Sequence, residues 1–239
     1  YSCIYCQLGC TTCFAVERQV FVETERLRSE LDALPITAAD VDYVTFSGTG
    51  EPTLAANLNE AIDLLRSWSA FRDVPIAVLT NAALLSRSDV RHDLARADLI
   101  VAKLDAPDEA LFQAINRPVA SLTWFEVVKG IRACRQEYDG RLALQMMFVG
   151  ANRHRADEMA ALARSLSPDE VQLNTPLRAS PTPPLSQAAM EAIEQAFSGL
   201  PVVGVYSAQP PKVRALDGVE MRRRRPVEGH PEIVGKEVN

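Results

Sequence analysis

The sequence contains no uninterrupted apolar run near the roughly 20 residues that a membrane helix needs. Its first residues also lack the basic stretch followed by an apolar one that marks a secretory leader. Both absences lead to the expectation of a soluble, cytoplasmic protein with no membrane partner, although residue 1 is Tyr and the true start is expected to lie upstream. Positive charge is in short supply: 25 Lys and Arg stand against 31 Asp and Glu, a net charge of -6, which gives no global attraction to nucleic acid. The dense basic run Arg222 to Arg225 reads either as a solvated tail or as a short contact to RNA or DNA. No Gly-rich dinucleotide fingerprint follows the first strand, which argues against a Rossmann sheet. His92, His154 and His230 have no acidic or thiol neighbours at ligand spacing, so no histidine metal site is expected.

What is present is one core's worth of chain, 239 residues of which 47% are hydrophobic. Helical spacing runs over Glu23 to Leu34, Leu58 to Trp68, Asp89 to Ala95, twice between Asp108 and Glu137, then Ala156 to Leu166 and Gln187 to Phe197. Between these lie VDYVTFSG, PIAVLTN, DLIVAKLDA, LALQMMFVG, DEVQLN and PVVGVYS, short runs apolar on both faces, as buried parallel strands are. Six βα units predict an α/β fold, a partial (β/α)6 barrel over residues 1–206, with a tail of unassigned fold over 207–239. Glu51, Asn81, Asp105, Gln145 and Asn174 fall on or just after strands, where such folds keep their ligand sites. Asn and Asp also favour turns, so each has a structural reading beside the functional one. The proline-rich loop 175–186 either covers the open end or simply connects.

Five cysteines, four of them within YSCIYCQLGCTTC, read as metal or redox chemistry rather than disulfides. Cys134, between Ile131 and Tyr138 on a helix, reads as a core residue. Crowded thiolates are tolerable around a soft metal or an iron–sulfur cluster. Two frames fit: Cys6, Cys10 and Cys13 form C-x3-C-x2-C, while Cys3 and Cys6 form the C-x2-C end of the same pattern, its first cysteine then lying upstream of Tyr1. A four-cysteine zinc site is the plainer alternative, but only three residues separate the pairs, against the roughly 12 to 20 of zinc ribbons and fingers.

The cysteine pattern followed by FSGTGEPTL resembles the radical S-adenosylmethionine (SAM) superfamily. CIYCQLG, LTN, LDA, INRP and VQLNTPLR, in that order, are similar to the branch of the tRNA wyosine synthases. The resemblance implies a radical SAM barrel with a [4Fe-4S] cluster, three irons held by cysteines and the fourth chelated by SAM. Because Tyr5 precedes Cys6 as an aromatic precedes the family's third cysteine, Cys3 and Cys6 match the second and third ligands. Cys10 and Cys13 are alternative or additional ligands, or idle thiols. By the same resemblance Ser47, Gly48, Gly50, Glu51 and Pro52 meet the SAM amino group, Asn81 and Asp105 approach the ribose or substrate, and Asn174 the adenine end. Lys103, on the same strand face as Asp105, is a candidate for Schiff-base chemistry or a substrate carboxylate, or snorkels at the rim. Arg117, before Pro118, is an anion contact or a helix stop. An external flavodoxin or ferredoxin would supply the electron, and a tRNA nucleoside is the implied substrate. A protein-radical-installing activase and a non-catalytic iron–sulfur or zinc module are the other readings.

Overall fold

Six short strands, β1 (Val44–Phe46), β2 (Ile76–Thr80), β3 (Leu99–Lys103), β4 (Arg141–Met147), β5 (Glu170–Asn174) and β6 (Val202–Gly204), form one sheet in the computed structural model, which describes residues 1–36, 40–47 and 50–209. Gly48 and residues 210–239, with the basic run 222–225 and His230, lie outside the described residues. Every neighbouring pair is parallel and the order is β1-β2-β3-β4-β5-β6. Crossovers between parallel strands are right-handed, so an order without reversal puts the crossover helices on one face. Strand twist curls the sheet around its other face. β1 and β6 remain as edges, and the architecture is the expected partial barrel.

The helices are α1 (Thr24–Asp32), α2 (Leu58–Ser67), α3 (Ser88–Leu94), α4 (Glu109–Asn116), α5 (Trp124–Glu137), α6 (Ala156–Leu166) and α7 (Gln187–Ala196). Three of their starts, those of α4, α5 and α7, follow the side-chain chemistry. Asp108 accepts from Leu111 N, Ser186 from Ala189 N, and Thr123 forms a reciprocal capping box with Glu126, each satisfying amides that a helix leaves orphaned.

Side chains alternate along the strands. Val78, Ile100, Leu142, Leu144 and Leu173 are fully buried against the helix layer, together with Ile62, Ile131 and Phe197. Each such burial contributes on the order of 1.5–3 kcal/mol. The other face carries Val101 and Ala143 and turns polar towards the strand ends: Lys103, Gln145 and Gln172 sit in register across β3, β4 and β5, and Gln145 Nε2 donates to Gln172 Oε1 at 3.0 Å.

The two ends of the sheet differ. At the strand starts, Asp98 accepts from Ile76 N (2.6 Å) and pairs with Arg66, while Asp169 accepts from Leu142 N (2.8 Å) and pairs with Arg135. A cleft of about 480 Å³ there is lined by these same paired groups, so this end holds strands together. The polar residues singled out above sit at the opposite, C-terminal end.

Gly130 marks a close approach. A Cβ there would stand 2.6 Å from Ser86 N and 2.8 Å from the Leu85 carbonyl carbon, both backbone atoms. Helix propensity alone favours Gly130→Ala by about 1 kcal/mol, whereas overpacking costs roughly 1–3 kcal/mol. We predict net destabilisation, read as a lower urea midpoint at unchanged slope; a raised midpoint would show that the helix-to-loop contact is loose.

Candidate functional site

The cysteine loop is laid on the C-terminal end of α4. Ser2 N donates to the carbonyls of Asn116 and Arg117 (both 3.1 Å), and Ile4 N to Ile115 O (2.9 Å), carbonyls that the helix end leaves unpaired. α4 stops there because Arg117 turns left-handed (φ 44°) ahead of Pro118; Arg117 is an exposed helix stop whose carbonyl receives the loop. Cys6 N donates to Cys3 O (3.0 Å) and Gly9 N to Cys6 O (3.1 Å), with Gly9 at φ +83°, a conformation glycine adopts without strain. The first turn presents Cys3 and Cys6 together, both partly buried. Cys10 and Cys13 are exposed, and Cys134 is buried in the core as expected.

Asp105, 1% exposed, receives this loop. Its Oδ2 accepts from the Tyr5 hydroxyl and from Asn116 Nδ2 (2.6 Å); its Oδ1 accepts from Met147 N (2.8 Å) and faces Lys103 Nζ at 3.6 Å. Asn152 supports the same corner, its Nδ2 donating to the carbonyls of Asp105 (2.8 Å) and Met147 (2.9 Å). The Lys103 ammonium also lies 5.1 Å from the Tyr5 ring centroid, a cation–π contact. Lys103 therefore faces the site, engaged with Asp105 and Tyr5 rather than snorkelling free.

Asn116 Nδ2 additionally lies 3.5 Å from Cys3 Sγ, while its Oδ1 is buried without a partner. The Tyr1 hydroxyl is the other such atom among the described residues, its ring edge-on to Phe112. An unpaired buried polar atom costs about 1–3 kcal/mol, and native proteins retain such atoms where a ligand, water or function uses them. Burial pushes the Tyr1 hydroxyl pKa up, with the charges of Glu51, Cys3 and Asp105 adding in that order. Burial also raises the Cys3 thiol. The Asp105 carboxylate pushes the same way, and the Lys103 ammonium and the hydrogen bonds from Tyr5 and Asn116 pull it back.

Glu51 forms the facing wall. Its Oε1 accepts from Thr53 N (3.1 Å), Thr53 Oγ1 (2.7 Å) and Thr80 Oγ1 (2.6 Å), and its Oε2 from Asn81 N (2.6 Å). Pro52 starts the 3-10 turn Pro52–Leu54 and Asn81 Oδ1 accepts from Ala83 N (2.9 Å); Ser47 and Gly50 are exposed at the rim. Arg18 backs this turn, donating to the carbonyls of Thr53 (3.1 Å) and Ala55 (2.9 Å) while pairing with Asp89 and Asp93. Asn174 stands apart, lining with Gln172 and Tyr206 a cleft of about 450 Å³ at the β5–β6 edge. The loop 175–186 does reach the site: Thr182 Oγ1 donates to Ile4 O (2.9 Å) and Arg178 to Gln7 Oε1 (3.1 Å).

The donor chemistry fits a thiolate-bound metal group through two sulfurs, Cys3 and Cys6, on one turn with a hydrogen-bond donor and an ammonium nearby. Among the described residues no set of three His, Cys, Asp or Glu side chains converges on one metal position, so Cys6, Cys10 and Cys13 are not gathered, nor are four cysteines for zinc. Tyr5 was legible as the aromatic before Cys6. Asn116 was not, because INRP drew attention to Arg117. Arg18 gave no sequence signal.

No protein-family model matches the chain. A UPF0026 protein of Synechocystis is 37% identical over 184 residues, 76% of this chain and 67% of the relative. A UPF0026 protein of Methanocaldococcus jannaschii is 34% identical over 183 residues, 74% of this chain and 56% of the relative. The chain thus spans between about half and two thirds of these relatives' length. Among solved structures, a domain of pyruvate-formate lyase-activating enzyme from Bacteroides vulgatus matches with TM-score 0.52 at 22% identity, over 67% of this chain and 97% of the domain. A radical SAM methyltransferase from Sphaerobacter thermophilus matches with TM-score 0.54 at 22% identity, over 75% of this chain and 54% of that one. Streptococcus suis SuiB bound to S-adenosylmethionine gives 0.58 at 15%, over 85% and 49%. The fold is the one these enzymes share.

Asp108 holds the other end of α4, capping Leu111 N and pairing with Arg155 at 2.8 Å. The Leu111 amide chiefly, and the Arg155 guanidinium after it, hold the Asp108 carboxyl below its ordinary value. A depressed folded pKa contributes stability that is present above the unfolded value, about 3.9, and is lost as pH falls through the folded one. Asp108→Asn, which keeps a cap but loses the charge, is expected to lower Tm at pH 7, with the gap to wild type closing below about pH 4. A gap constant with pH would mean that the ion pair and cap charge contribute nothing.

Proposed function

This chain belongs to the UPF0026 family, and we propose that it is the cluster- and SAM-binding barrel of a radical SAM enzyme. The observation that carries the reading is the placement of the Cys3–Cys6 turn on the buried Asp105, at the same end of the sheet as Glu51 of the Gly-Glu-Pro turn. The solved enzymes that share the fold, one of them bound to SAM, support it. Cys3 and Cys6 are the residues of this chain that would hold irons of a [4Fe-4S] cluster. The chemistry such a cluster supplies when bound is one-electron cleavage of SAM to methionine and a 5'-deoxyadenosyl radical, which takes a hydrogen atom from substrate.

The chain's own residues do the rest. Among the described residues Glu51 Oε2 accepts from Asn81 N alone, which leaves a lone pair for the SAM ammonium. Asn81 is the residue assigned to the ribose, and Asn174, in its separate cleft at the β5–β6 edge, is assigned to the adenine end only by the family resemblance. Asp105, with its oxygens taken up by protein donors, positions the loop, and Lys103 meets the substrate's anionic group. Likeness to the wyosine branch points to a tRNA nucleoside as substrate, with an external flavodoxin or ferredoxin as donor.

Anaerobic reconstitution of the full-length protein, reduction and assay of 5'-deoxyadenosine from SAM test this. Nucleoside should form and be lost in Cys3→Ala and Cys6→Ala but be retained in Cys13→Ala. A protein that assembles a cluster and leaves SAM intact would make this a binding module.

A further inference from the structure

We propose that Asn116 is a positioning residue for the iron ligand Cys3, its side-chain amide donating to the ligating sulfur in an orientation imposed by Asp105. The inference rests on the cluster-binding reading of the loop. Asn116 is 2% exposed, and its Nδ2 lies 2.6 Å from Asp105 Oδ2, 3.4 Å from the Tyr5 hydroxyl and 3.5 Å from Cys3 Sγ. The orientation follows from chemistry, because exchanging Oδ1 and Nδ2 would set two acceptors 2.6 Å apart. The orphaned Oδ1 makes the same point: with no partner of its own, the amide is held entirely by what Nδ2 donates to.

The contact links two segments that are far apart in sequence. Cys3 enters from the first turn of the chain, and Asn116 ends α4, whose last carbonyls already hold Ser2 and Ile4. A sulfur receiving an N–H carries less charge, and hydrogen bonds to cluster sulfurs raise the reduction potential. The lysine nearby cannot substitute, since Lys103 Nζ is turned to Asp105 and the Tyr5 ring. Asn116 thereby sets both the direction of the Cys3 side chain and the ease with which the centre accepts an electron.

The test compares the full-length wild type with Asn116→Leu, which has the same side-chain heavy-atom count and branching but no donor, after anaerobic cluster assembly. Iron content, the EPR g-values of the reduced cluster and its midpoint potential are read. The expectation is retained iron, shifted g-values and a more negative midpoint potential in the variant. Because the variant could fail to fold, the wild type with isotopically labelled asparagine is also measured by pulsed EPR, where a coupling to an asparagine side-chain nitrogen is expected. Unchanged g-values and potential, or no such coupling, overturn the role of Asn116 alone. A wild type that binds no iron overturns the reading beneath it.

Discussion

The Asp105 carboxylate is the constraint on which the site depends. A carboxylate that is 1% exposed is tolerable only if its lone pairs are taken up by donors. Here they come from the cysteine loop (Tyr5), the end of α4 (Asn116) and the β4 backbone (Met147), with the Lys103 ammonium at the end of β3 pairing at 3.6 Å. Removing one partner of such a buried charge typically costs about 3–5 kcal/mol, whereas replacing the whole set by apolar groups can be neutral. The network therefore specifies more than it stabilises. It determines where the loop comes to rest, alongside the apolar packing of Tyr5 and Ile4 with Ile115 and Val149.

The second carboxylate works the same way on the facing wall. Glu51 joins the Thr53 turn to the end of β2 through Thr80 and the Asn81 amide, and Arg18 locks the turn from behind against Asp89 and Asp93. Just past Asn81, Ala82 is fully buried at φ 64°, a left-handed conformation that costs a non-glycine residue energy and persists only where its surroundings demand it. The loops at this end are pinned by polar groups, while the opposite end is pinned by Asp–Arg pairs at the strand starts. One end is built to present chemistry and the other to hold the sheet.

Periodicity made the frame legible in the sequence. The strands and helices fall where alternating and 3.6-residue spacing places them, α6 at both of its ends, because buried parallel strands and amphipathic helices carry strong local signals. Residue type at strand ends was legible as well: Asp105, Gln145, Lys103 and Asn174 all sit on the polar face or C-terminal end of the sheet. What Asp105 does was not, because Tyr5 is 100 residues away and the pairing is set only by folding. Asn116 was hidden beside the more conspicuous Arg117, and Arg18 lies in a stretch without a motif. Cysteine spacing offered two frames, and only the positions of the turns distinguish a partly buried pair at Cys3 and Cys6 from the exposed Cys10 and Cys13.

If this end of the barrel holds a cluster, one of its irons is open to SAM. The Mössbauer spectrum of the full-length, iron-loaded protein with and without SAM is the sharpest test. The absorption of a single iron is expected to shift on adding SAM while the cysteine-bound irons stay unchanged. A spectrum indifferent to SAM, or one showing a single iron held by sulfur alone, would contradict it.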